Sequence, residues 1–109
     1  MSWEQQFEQL REAYRICLRQ DLETFEAAVW NALESGGRPA AFEPALRLAH
    51  RLKGGAATYG LAETSAALER IEARLARFLG AAPSDGAALR DEIEALLRSL
   101  RAGPEIRPE

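Results

Sequence analysis

One stretch of the chain gathers residue types that could do chemistry: Ala49-His50-Arg51-Leu52-Lys53-Gly54-Gly55-Ala56-Ala57-Thr58-Tyr59-Gly60. His50 is the sole histidine, and Lys53 is the sole lysine among 14 basic residues. A neutral imidazole nitrogen is a nucleophile near neutral pH, and a compact ammonium three residues later on a helix is its neighbour. Few other chemistries fit. Cys17 is alone, so neither an internal disulfide nor a cysteine metal site is available, and no Cys–His pair has a credible spacing. Gly55 to Gly60 has the rhythm of a phosphate-binding loop but lacks the Lys-Ser/Thr ending and the preceding strand.

At about 100° per residue, Phe42, Ala45, Ala49, Leu52, Ala56 and Tyr59 cluster opposite His50 and define a core face. His50 shares its own face with Glu43, Arg47, Gly54 and Ala57 and is expected to point to solvent. Gly54 and Ala57 lie one and two turns beyond it, so the imidazole should stand above a shallow clearing that another protein could enter. A mid-helix glycine costs roughly 1 kcal/mol relative to alanine, and Gly54-Gly55 doubles that cost. Backbone access explains Gly54, and close helix packing suits Gly55, which lies nearer the buried side.

The run from Ala49 through His50, Leu52, Lys53, Gly54 and Ala56 to Tyr59-Gly60 resembles the signature of histidine phosphotransfer (HPt) domains, roughly A-H-x-L-K-G-x-A-x-x-aromatic-G. The resemblance extends over about Leu10 to Leu100, and the run from Lys53 to Gly60 looks most like the phosphotransfer domain of chemotaxis-type histidine kinases. The resemblance implies that His50 carries a phosphoryl group on Nε2. It implies that Lys53 offsets phosphoryl charge, that Gly54 and Ala57 give clearance, and that Leu46, Arg47 and Arg51 line the partner surface. It also draws attention to Glu72, twenty-two residues after His50, because a glutamate at that spacing hydrogen-bonds histidine Nδ1 in the chemotaxis-type domains. A carboxylate there would fix the tautomer and leave Nε2 free to attack. The implied partners are a response-regulator receiver domain, a histidine kinase catalytic domain, or both. The chain has no room for an ATP site, so a phosphocarrier rather than an enzyme is expected, with no cofactor and no metal. The His-Glu-x-x-x-Pro context of kinase dimerisation helices does not follow His50. The alternative is a helical interaction module that docks signalling partners without being phosphorylated.

Helices must position these residues. Helical periodicity dominates and no alternating strand emerges. A first region from about Trp3 to Leu33 carries Phe7, Leu10, Tyr14, Cys17, Leu18, Leu22, Phe25, Val29 and Leu33 at helical steps, as one bent helix or as two with Gln20-Asp21 as the place for the break. Ser35 to Pro39 ends it, and a second helix follows from about Ala41 to Thr58. A third spans about Ala62 to Leu79, with Leu68, Ile71, Leu75 and Phe78 as its stripe. Gly80 to Gly86 is a loop in which Ser84 or Asp85 can cap a last helix bearing Leu89, Ile93, Leu96, Leu97 and Leu100. The aromatics Trp3, Phe7, Tyr14, Phe25 and Trp30 are expected as core or cap residues.

The expected fold is all-α, an antiparallel up-and-down four-helix bundle with room for an additional short N-terminal helix. The 109 residues suit one domain, taken as residues 1–102, with 103–109 as a disordered tail or linker. Apolar residues make up 47% and charged residues 28%, as in an ordinary globular domain, and the net charge of −3 gives no footprint for nucleic acid. No apolar run reaches the ~20 residues that would span a bilayer, and no leader is evident. A cytoplasmic monomer without membrane insertion is expected.

Overall fold

The computed structural model describes residues 2–80 and 85–106. Helix α1 (Trp3–Glu34) is followed by a 3-10 turn (Pro39–Phe42), then α2 (Glu43–Thr58), α3 (Ala62–Gly80) and α4 (Gly86–Ala102). Each helix packs on the next, and α4 returns to α1, which closes the expected four-helix bundle. Its core is built from Leu18, Leu22, Phe25 and Val29 of α1, Ala45, Ala49, Leu52 and Ala56 of α2, Leu68, Ile71 and Leu75 of α3, and Leu89, Ile93 and Leu97 of α4.

The helix ends follow from local chemistry. Ser2 and Gln5 form a reciprocal capping box at the start of α1. Asp85 caps α4 by accepting from the amides of Ala87 and Ala88; Ser84 lies outside the described residues. Helix α2 ends in a Schellman motif: Leu61 N–H donates to Ala56 O at 2.8 Å and Gly60 N–H to Ala57 O at 3.1 Å. The motif needs a left-handed residue, and Gly60 supplies φ +71°.

Of the forms open to the first helical region, one helix or two, the structure has one. Helix α1 is continuous through Gln20-Asp21. Asp21 therefore caps nothing, because the apolar spacing of Leu18, Leu22, Phe25 and Val29 carries one core face across it. Among the described residues no separate N-terminal helix is present. The stripe itself narrows toward the N-terminus, where Trp3, Leu10 and Ile16 are exposed and Cys17 is exposed as well. The first turns of α1 run beyond the packed bundle, with Phe7 and Tyr14 holding the contact through the Tyr59 ring at centroid distances of 5.7 and 5.0 Å.

The segment after α4 also differs from the sequence reading. Ile106 is 4% exposed and joins the core. The Glu105 carboxylate accepts from the amides of Glu63 (3.1 Å) and Thr64 (2.7 Å) at the start of α3. Arg15 of α1 donates to the carbonyls of Pro104 and Glu105. One isoleucine and one carboxylate thus order residues that composition alone marked as a tail; 107–109 lie outside the described residues. No described helix is long and apolar enough to cross a membrane.

Candidate functional site

Helix α2 presents His50 because its opposite side is committed to the core. Ala45, Ala49 and Ala56 are fully buried and Leu52 nearly so, which turns His50 outward with its side chain 75% exposed. The apolar residues on that inner face are mostly alanines. A small-residue face lets α2 lie close to its neighbours, so a group on the flank of α3 can reach the imidazole.

That group is Glu72. It stands beside the buried stripe of Leu68, Ile71 and Leu75, with its side chain 24% exposed. Its Oε2 lies 3.5 Å from His50 Nδ1 and its Oε1 lies 3.0 Å from Lys53 Nζ. The first distance is longer than a good hydrogen bond, so carboxylate and ring are adjacent without a completed bond. The second is an ion pair whose angles fall outside hydrogen-bond geometry, since the buried Oε1 has no hydrogen-bond partner. Glu72 therefore sits between the only lysine and the only histidine, its charge met by Lys53. The resemblance pairs Lys53 with an incoming phosphoryl group; here its side chain is 30% exposed and its ammonium rests on Glu72.

The two glycines of α2 do different things. A methyl group built at Gly54 would meet no atom within 4 Å, and Ala57 a turn later is exposed, so the surface beyond His50 is low and open. A methyl group at Gly55 would come within 2.7 Å of the Tyr14 hydroxyl. Tyr14 lies flat against that gap and donates to Leu52 O at 3.0 Å. Burial, followed by the charge of Asp21 and the nearby Tyr59, pushes the Tyr14 phenol above its ordinary value, while Arg51 pulls it down. The sequence marks Tyr14 only as a core or cap aromatic. The signal for its role was Gly55, a helix-interior glycine facing inward.

The other residues singled out from sequence surround His50 more loosely. Leu46 is half-buried, and Arg47 is exposed and pairs with Glu43 at 2.7 Å. Arg51 is exposed on the side of α2 that faces Tyr14. Among the described residues, no group of three or more His, Cys, Asp or Glu side chains is placed to hold a metal ion. Glu105, which sequence reading left in the tail, was foreshadowed at Leu61. That residue sits just before α3 with an apolar side chain that cannot accept from the first amides, which leaves them to water or to a distant acceptor.

An exposed lone imidazole backed by an ion-paired carboxylate, above a cleared helix surface, suits a group carried between proteins. The family model of the Hpt domain matches residues 4–103. No curated protein and no solved structure matches the chain. With helices, bundle and matched residues in agreement over nearly the whole sequence, the chain belongs to the Hpt domain family, phosphocarriers that pass phosphoryl groups through a histidine in phosphorelays with histidine kinases and response regulators.

Proposed function

We propose that His50 is the phosphoryl carrier of this domain and that Nε2 is the atom that bears the group. The observation that supports this most is the placement of Glu72 against Nδ1 of a ring that is otherwise exposed. No other described interaction engages the ring, so Nε2 is the nitrogen left for a partner.

The chemistry follows from that asymmetry. With Nδ1 protonated and facing Glu72, the lone pair resides on Nε2. Attack on phosphorus forms the N–P bond as the bond from phosphorus to its leaving oxygen breaks, and that oxygen departs with the electron pair. The ring then carries a positive charge, which the Glu72 carboxylate stabilises. Contacts of this kind often tighten from an apo separation such as 3.5 Å as the reaction proceeds. Lys53 keeps the carboxylate in place before transfer. Lying three residues from His50, it is also the compact cation nearest the incoming phosphoryl oxygens.

The donor is an aspartyl phosphate of a receiver domain or ATP held by a kinase catalytic domain, and the acceptor is the free aspartate carboxylate of a receiver domain. Such a partner approaches over Gly54 and Ala57, with Leu46, Arg47 and Arg51 at its margin. The test is phosphoryl transfer from phosphorylated receivers, and from kinase catalytic domains with ATP, to the native chain and to His50→Gln. Acid-labile, base-stable phosphate on the native chain alone supports the reading; equal incorporation in both proteins overturns it.

A further inference from the structure

The α2–α3 turn is held from both sides by residues far away in sequence. Before the turn, Arg11 of α1 donates from Nε to Tyr59 O at 2.8 Å, and the Tyr59 ring stacks on Tyr14. After the turn, the first amides of α3 receive no side chain of their own segment, because the residue before the helix is Leu61. Glu105 fills that place from beyond α4, with one carboxylate oxygen on each of the amides of Glu63 and Thr64. The carboxylate also lies at the positive end of the α3 dipole. Its own backbone is fixed: Arg15 grips the carbonyls of Pro104 and Glu105, and Ile106 is anchored in the core.

This turn joins the two helices that make the site. His50 and Lys53 stand on α2 and Glu72 on α3, and their contacts of 3.5 and 3.0 Å depend on how the two helices slide past each other. One residue of slide is about 1.5 Å along a helix axis. Functional geometry tolerates roughly 0.5 Å. Where α3 begins therefore bears on whether Glu72 meets the imidazole.

We propose that Glu105, held by Arg15, is a positioning residue for His50: from outside the segment that matches the family, residues 4–103, it sets the start of α3 and so the register of Glu72 against the ring. The inference rests on the proposed role of Glu72, and the experiment separates the two. Glu105→Ala, Glu105→Gln, Arg15→Ala and Glu72→Ala are compared with the native chain. Four quantities are measured in each: thermal stability, amide exchange at Glu63 and Thr64, the imidazole ¹⁵N signals of His50, and the rate of phosphoryl uptake. The expected result for Glu105→Ala is about fivefold faster exchange at the two amides, the factor that a lost helix cap corresponds to. It is accompanied by displaced His50 signals and severalfold slower uptake in protein that is still folded. Arg15→Ala moves the same quantities in the same direction, because it frees the segment that carries the carboxylate. Glu105→Gln, which keeps one accepting oxygen, recovers part of each. Native imidazole signals and native uptake in Glu105→Ala, with the two amides deprotected, would overturn the proposal and leave Glu105 a cap only. If Glu72→Ala itself leaves uptake unchanged, it is the role of Glu72 that fails, and the positioning role falls with it.

Discussion

At the scale of single residues, the proposed chemistry reduces to three side chains and two absent ones. Glu72 shares its carboxylate between His50 Nδ1 and Lys53 Nζ, so its removal acts on both. Glu72→Ala should slow phosphoryl uptake by about ten- to a hundredfold, the range expected when a reacting group loses its orientation. The fold should survive, because the side chain is on the bundle's flank rather than in its centre. Glu72→Gln can still accept from Nδ1–H, and should retain more activity than the alanine variant while losing the charge that stabilises the phosphorylated ring. Uptake rates of the two variants check this, and equal, native rates in both would remove Glu72 from the mechanism. The absent side chains are those of Gly54 and Gly55. Gly54→Ala meets open space and should stabilise α2 by up to about 1 kcal/mol. Gly55→Ala drives a methyl group to 2.7 Å from the Tyr14 hydroxyl and should cost about 1–3 kcal/mol. Paired urea melts read the difference in sign. The outward direction of His50 and the open surface at Gly54 were legible in the helical angles of the sequence. The Lys53–Glu72 contact was not, because it depends on the slide between two helices that no local pattern encodes.

At the scale of elements, α2 and α3 were readable almost to the residue, since their stripes and their Gly60 break are local signals. Helix α1 was less so. Asp21 looks like a cap in isolation, yet the apolar repeat of Leu18, Leu22, Phe25 and Val29 continues through it, and burial of that face outweighs one residue's preference. The same helix supplies Tyr14, whose hydroxyl bonds a carbonyl of α2. Tyr14→Phe should cost about 1 kcal/mol for that bond. It should also change the alkaline stability profile. The phenol is raised in the folded state, first by burial and then by Asp21 and Tyr59. The contribution of its protonated form is therefore complete below the unfolded phenol's range near ~10 and is lost as pH rises through the higher folded value. Stability measured from neutral to strongly alkaline pH should fall less steeply in Tyr14→Phe than in the native chain; parallel profiles would contradict the account. Helix α3 holds a small cost of its own, since the hydroxyl of fully buried Thr64 has no hydrogen-bond partner. Thr64→Val preserves shape and the amide that Glu105 receives. It should leave stability unchanged or raise it by about 1 kcal/mol, because an unsatisfied buried hydroxyl is removed.

At the scale of the whole molecule, the bundle turns one imidazole outward to solvent. The all-α class and the four helices follow from periodicity, and were accessible without coordinates. The extent of the packed chain was not. Composition after Gly103 is that of a linker, and only the tertiary contacts of Glu105 and Ile106 show that the core reaches that far. Ile106→Ala should accordingly cost about 2 kcal/mol, the low end for a large-to-small core change, where an unstructured tail would show nothing. In the proposed function one imidazole carries the phosphoryl group, and the rest of the fold holds it out for partners. Because His50 is the only histidine, a single measurement addresses it. The native chain and His50→Gln are each incubated with phosphorylated receiver domains, and with histidine kinase catalytic domains plus ATP, and protein-bound phosphate is assayed for lability in acid and stability in base. The account predicts such phosphate on the native chain and none on His50→Gln, with identical helical circular dichroism for the two. Phosphate that persists in His50→Gln, or a native chain that takes up none from any of these donors, would contradict it.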